Sequence, residues 1–180
     1  MSASHRCLLG AAGPALASAA TLAGAPDPAP VFPAAAADME VAQLIRRAAV
    51  AHVALMGGDL GRYRSLIATS GDFTLMAPFG GTPTRARDLT SERWASIARF
   101  FHNGTDASTE LVQAWHSADM VVLALVERAN VEVGGLPAQD WALRVTLVFR
   151  RERGQWLLAH RHADPLVTGI SLAQAAELAK

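Results

Sequence analysis

The sequence predicts an α+β fold, with helices gathered in the first half and an antiparallel sheet built by the second. Three observations carry this. Between residues 38 and 101 apolar residues recur three or four apart in separate stretches, the spacing of one helix face. From residue 109 onward that period disappears, and residues 109–115, 120–133, 141–150 and 155–164 read as strands rich in Val, Leu and Thr. These runs are joined by Ser117-Ala-Asp119, Gly134-Gly135 and Arg153-Gly154, connections too short for anything but antiparallel neighbours. Helices segregated from a strand meander place the chain among α+β folds.

Taken in order, residues 1–37 stand apart. They are dominated by Ala, Gly, Pro and Ser, and the prolines from Pro26 to Pro33 exclude a helix interior there. His5-Arg6 followed by a mild apolar run ending in small residues has the layout of an export signal, similar to a twin-arginine signal with His5 in place of one arginine. An Ala/Pro-rich extension without regular structure fits the same composition. The first reading places the mature protein outside the cytoplasm. The folded domain is expected over 38–168, followed by a tail over 169–180 that is weakly helical or frayed.

Asp38 is expected to cap a first helix over 39–56, in which Val41, Leu44, Ile45, Ala48, Ala49, His52 and Leu55 keep helical spacing. Gly57-Gly58 ends it, and Asp59 caps a short second helix over 60–67. Residues 73–77 read as a strand, and Pro78-Phe-Gly-Gly-Thr-Pro83 as a loop. Thr90-Ser91-Glu92 opens an amphipathic helix through Trp94, Ile97, Ala98 and Phe101, which Gly104 is expected to stop.

With 180 residues, of which 51% are hydrophobic, the chain can bury a substantial core. Sixteen basic and sixteen acidic side chains cancel, leaving no basic footprint for nucleic acid. Beyond the N-terminal segment no apolar run approaches the roughly 20 residues that span a bilayer, so no membrane partner is expected for the mature form. A single cysteine, Cys7, excludes an intramolecular disulfide and any multi-cysteine metal site. No cofactor is called for. Both faces of residues 121–126 and 143–149 are largely apolar, which argues for a second covering layer, most simply a homodimer through the sheet.

The element order, together with Gly58-Asp59-Leu60, residues 73–81, Leu143-Arg-Val-Thr-Leu-Val-Phe-Arg-Arg151 and the closing Trp156 to Leu166, resembles the nuclear transport factor 2-like superfamily. The branch it resembles is that of the SnoaL-like or ketosteroid-isomerase-like proteins of bacteria. The resemblance covers roughly residues 40–166. It implies a cone-shaped fold, N-terminal helices on a strongly curved, mostly antiparallel sheet, a dimer, and a pocket between helices and concave sheet face. The superfold hosts isomerases, cyclases, dehydratases, hydrolases and binding domains, so it does not imply one activity. Steroid isomerisation needs a carboxylate base and an acidic Tyr/Asp donor pair. The matching base position, before Pro78, holds Ala77, the matching tyrosine position falls at about Ala51, and the only tyrosine is Tyr63. Steroid isomerase activity of the usual kind is therefore not expected.

The closing strand supplies the candidate chemistry. Residues two apart on a strand share a face, so regular alternation puts His160 and His162 with Trp156 and Leu158, and Arg161 opposite. His160 and His162 are candidate acid/base groups, with Asp164 continuing the alternation. Arg144 and Thr146 share a face of their own strand, and Glu127, an isolated carboxylate, is the expected partner of Arg144. That pair either orients a polar ligand group or is a structural salt bridge. A metal held by His160, His162 and one of His52, His116 or Asp164 has no third ligand fixed by spacing, so no metal is assigned. Met76, Phe79, Trp94, Phe100 and Phe101 are candidates for an apolar lining, with packing in the core as the plainer role.

Two functions stay open. The first is a domain that binds a small apolar, aromatic or carbonyl-bearing molecule without chemistry. The second is an isomerase, cyclase or dehydratase using His160 or His162 as acid/base and Arg144 as electrostatic stabiliser. They separate on whether those three side chains open into one pocket.

Overall fold

The computed structural model describes residues 34–180, with side chains from residue 38 onward, so the export-signal and extension readings lie outside the described residues. The first helix, α1 (Ala34–Met56), begins four residues before the expected cap and runs through Asp38. Alanine is the strongest helix former, and a run of it extends the helix past a residue that otherwise starts one. Leu44, Ala48, Ala51, His52 and Met56 are buried on one face, and the small alanines let the helix lie close to the sheet. Gly58 at φ +79° turns the chain, and Asp59 caps α2 (Leu60–Leu66) by accepting a 2.9 Å hydrogen bond from the Arg62 amide.

After β1 (Thr69–Met76) come a two-residue strand, β2 (Thr84–Arg85), a 3₁₀ turn and α3 (Ser91–Phe100), capped by Thr90 as its sequence suggests. Four long strands follow: β3 (Phe101–His116), β4 (Met120–Val133), β5 (Leu136–Glu152) and β6 (Gln155–Pro165). All three expected hairpins form. The short α4 (Leu172–Leu178), capped by Ser171, ends the chain. Among the described residues no helix is long and apolar enough to cross a membrane.

One six-stranded sheet has the order β2-β1-β6-β5-β4-β3, antiparallel throughout except where β1 runs parallel to β6. The sheet curls around α1 without closing. Bulges impose the curl, because each inserts an unpaired residue and bends its strand. In β3 the pairing with β4 slips three times, and Asn103 and Asp106 take positive φ at two of those slips. Phe73, Val121, Leu123, Leu125, Leu143, Val145, Leu147, Phe149, Leu158 and Ala163 face α1 from the concave side and form the core.

Gly104 does not stop α3. The helix ends at Phe100 and the chain passes directly into β3, where Gly104 allows the strand to cross Met56. A Cβ built on Gly104 would stand 2.7 Å from the Met56 Cβ and carbonyl oxygen. Gly104→Val is expected to lose about 1–3 kcal/mol from forced displacement of packed backbone. Urea unfolding checks it, with Gly71→Ala, whose Cβ meets nothing within 4 Å, as a control expected to change little.

Candidate functional site

Between α2, α3, the loop after β1 and the concave end of the sheet lies a cavity of about 210 Å³. Its wall is formed by Leu55, Tyr63, Leu75, Phe79, Trp94, Ile97, Phe100 and Leu143, with Arg161 as the charged group on the sheet side. Phe79 closes one side, its ring 5.3 Å from Phe100 and 5.8 Å from Trp141. The opposite side is built by Trp94 and Tyr63, rings 6.2 Å apart. Ala77, where the resembled isomerases carry a base, lines the cavity with only a methyl group.

Arg161 reaches this cavity because β6 is not regular. Leu158 pairs with Phe149, but His160 pairs with Val148, so Ala159 is an extra residue in the ladder. The bulge reverses the facing of everything after it. Leu158 is buried before it, Ala163 is buried after it, and Arg161 shares the inner face with Ala163. His160 and His162 therefore point to the outer face, not to the side of Leu158 as even alternation predicts. There the Thr74 hydroxyl and His160 Nδ1 lie 2.7 Å apart, and His162 pairs across the ladder with Thr146 and Met76. Burial, then the neighbouring His162, lowers the His160 pKa below its ordinary value.

The expected Glu127–Arg144 pair does not form either. Arg144 lies on the outer face and donates a bidentate pair of hydrogen bonds to Asp164, at 3.0 and 2.7 Å. Glu127 is on the inner face, 4% exposed, and receives its bidentate pair from Arg161, at 3.2 Å from Nη1 and 2.7 Å from Nη2. The parity of facing strands decides this: Arg144 sits opposite Val126, one step from Glu127 and thus on the other side of the sheet. Of the residues expected to line a pocket, Phe79, Trp94, Phe100 and Phe101 do, and Glu127 stands directly behind Arg161. Met76, Thr146 and Asp164 lie on the outer face with His160, His162 and Arg144.

Two residues of α1 and α2 that spacing alone did not single out complete the site. His52, buried, donates from Nε2 to the Arg128 carbonyl at 3.0 Å and turns Nδ1 toward Glu127 Oε2 at 3.5 Å. Tyr63 lines the cavity and interacts electrostatically with both Arg161 and Glu127; burial raises its pKa above that of an ordinary phenol. Burial alone would push the Glu127 carboxyl up, but the Arg161 guanidinium outweighs it and holds the carboxyl below the ordinary carboxylate range. Glu127 and Arg161 are thus an ionised, bidentate, buried pair. A guanidinium carries five N–H donors. Two go to Glu127, and the other three have no protein acceptor among the described residues.

His52 and His160 lie on opposite faces of the sheet, so the histidines considered for a metal are not brought together. Among the described residues no group of three or more His, Cys, Asp or Glu is placed to hold a metal ion.

Residues 45–168 match the family model of the SnoaL-like domain. The chain belongs to this family. Solved structures agree on the fold of the SnoaL-like chain. A proposed dehydratase of the nuclear transport factor 2-like family from Streptomyces avermitilis is 22% identical, covers 73% of this chain and 99% of its own, and superposes with a TM-score of 0.54. A nuclear transport factor 2-like protein of unknown function from Pseudomonas putida KT2440 is 19% identical, covers 78% and 92%, and gives 0.54. One from Silicibacter pomeroyi DSS-3 is 14% identical, covers 72% and 98%, and gives 0.53. No curated protein matches the chain in sequence. At these identities the likeness is one of fold, the fold of nuclear transport factor 2-like proteins, and the chemistry rests on this chain's own residues.

Proposed function

We propose that the SnoaL-like domain binds a small apolar or aromatic molecule bearing one polar oxygen, with rings held by Phe79, Trp94 and Phe100 and the oxygen on Arg161. One observation carries the reading: an apolar cavity has the half-buried Arg161 guanidinium in its sheet-side wall, pinned by Glu127 and left with three N–H donors facing no protein acceptor among the described residues. Few polar groups converging in an apolar concavity are what orients a small ligand. At about 210 Å³ the space suits one or two rings, less than the roughly 300–1,000 Å³ typical for larger ligands. Binding is favoured over acid/base catalysis because among the described residues the wall contains no carboxylate and no imidazole, while His160, His162 and Arg144 lie on the other face.

Trp94 provides the readout. Titration with 1-naphthaldehyde is expected to change tryptophan emission saturably, at one molecule per chain. In Ala77→Phe, which fills the mouth of the cavity, affinity is expected to drop at least about tenfold with stability nearly unchanged. Equal affinity in that variant places the ligand elsewhere.

A homodimer through the outer face of the sheet is part of the same reading. Val122, Ala124, Val126 and Val148 are only half-buried there, and Trp115 at the edge is 55% exposed. Light scattering is expected to give twice the 19.0 kDa chain mass, reduced toward one chain by Trp115→Glu and Val122→Glu together. A wild-type monomer at micromolar concentration refutes the dimer.

A further inference from the structure

We propose that the ligand is an anion, an aromatic carboxylate, and that its binding to Arg161 is accompanied by uptake of one proton on His52. This rests on the cavity reading above and extends it to a ligand charge and a means of pH control.

The argument is one of charge balance in a poorly hydrated space. Two guanidiniums line the cavity, Arg93, exposed on α3, and Arg161, fixed by Glu127 with three donors left, and the planar fork of Arg161 matches a carboxylate better than a single carbonyl oxygen. Yet its charge is already matched by Glu127, 2.7 Å away. A bound carboxylate makes a triad of two negative charges and one positive, and an uncompensated charge is expensive where water is scarce. One neighbour is placed to supply the missing charge. His52 directs Nδ1 at Glu127 Oε2 from 3.5 Å, and that nitrogen is buried with no hydrogen-bond partner among the described residues. Its other nitrogen is committed as donor to the Arg128 carbonyl. In a neutral ring with Nε2–H, Nδ1 therefore presents a lone pair to a carboxylate oxygen, two acceptors face to face. A proton on Nδ1 converts that contact into a donor–acceptor pair and gives Glu127 a second cationic partner.

The other groups around the His52–Glu127 contact do not substitute for His52. From β4 they are Glu127 and Arg128, whose side chain turns to Glu110 on the outer face. From β6 there is Arg161, already charged. From α2 there is Tyr63, which has a proton to lose and no positive charge to gain. From β3 there is Thr109, ladder partner of Glu127, whose buried hydroxyl does not titrate. The proton comes from the buffer, and no covalent bond changes.

Calorimetric titration of the full chain with 1-naphthoate, in two buffers of different ionisation enthalpy at the same pH, reads the proton directly. The expected result is uptake of up to one proton per ligand, with affinity rising as pH falls, by at most about tenfold per unit. The neutral analogue 1-naphthamide is expected to bind more weakly and without proton uptake. In His52→Gln, which keeps a donor for the Arg128 carbonyl, uptake is expected to vanish. Naphthoate binding without uptake in the wild type overturns the coupling and leaves the cavity reading standing. Uptake that persists in His52→Gln puts the proton on Glu127 and overturns the assignment. Preference for the amide overturns the anion. If neither compound binds while 1-naphthaldehyde does, the carboxylate is refuted; if none of the three binds, the cavity reading itself falls.

Discussion

Glu127→Ala is expected to cost about 3–5 kcal/mol of folding stability, the loss that follows when a buried ion pair is broken from one side. Glu127 is 4% exposed and its partner Arg161 lies in the wall of an apolar cavity, so the guanidinium left behind has no carboxylate and little water to replace it. The loss is then mostly the penalty of an unpaired charge rather than the worth of the pair itself. That distinction makes a second measurement informative. Glu127→Leu combined with Arg161→Met removes both charges at similar volume and is expected to recover most of the stability, while abolishing binding of any anionic or carbonyl ligand. Urea unfolding of the single and double variants checks this. A single variant within 1 kcal/mol of wild type would show that the pair is hydrated and would weaken the electrostatic account of the site. The sign of the pH dependence follows from the lowered Glu127 pKa. Its contribution is fully present above the ordinary carboxylate value of roughly 4.3 and fades as pH falls through the lower folded value.

Phe149→Ala is the second large effect, expected at about 3–5 kcal/mol. Phe149 is fully buried toward the C-terminal end of β5, on the concave face where the strand meets α1. Removing the ring leaves a cavity that the surrounding side chains fill only in part, because the bulged ladder between β5 and β6 constrains the backbone on both sides. It also removes the aromatic face on which the Arg47 guanidinium rests, 5.6 Å from the ring centre. Phe149→Leu, which keeps most of the volume, is expected to lose well under half as much. Thermal unfolding distinguishes the two, and an alanine variant no worse than the leucine variant would mean that the site collapses around the deletion.

The element order was legible because it depends on short-range signals. The change from a helical period up to residue 101 to strand-like runs from residue 109 is written in the sequence, as are the caps Asp59 and Thr90 and the three hairpin turns. The inner faces of β4 and β5 follow from plain alternation, which is undisturbed there. Glu127 was also visible, as a lone carboxylate at the end of an apolar run. Its partner was not, because ion pairing across a sheet depends on which strands are neighbours and on their parity.

What the sequence by itself determined was the class of fold, the family, and the apolar residues at one end that build a cavity, Phe79 and Trp94 among them. It also holds Ala77 at the position where the resemblance implies a base. Only the tertiary structure decided which polar groups enter that cavity. A strand has a period of two, so one extra residue exchanges its faces, and no local propensity marks Ala159 as that residue. Downstream of it the two histidines pass to the outer face and the arginine between them becomes the charged group of the pocket. His52 and Tyr63 then join Arg161 through contacts between α1, α2 and the sheet, separations that no spacing rule along the chain encodes.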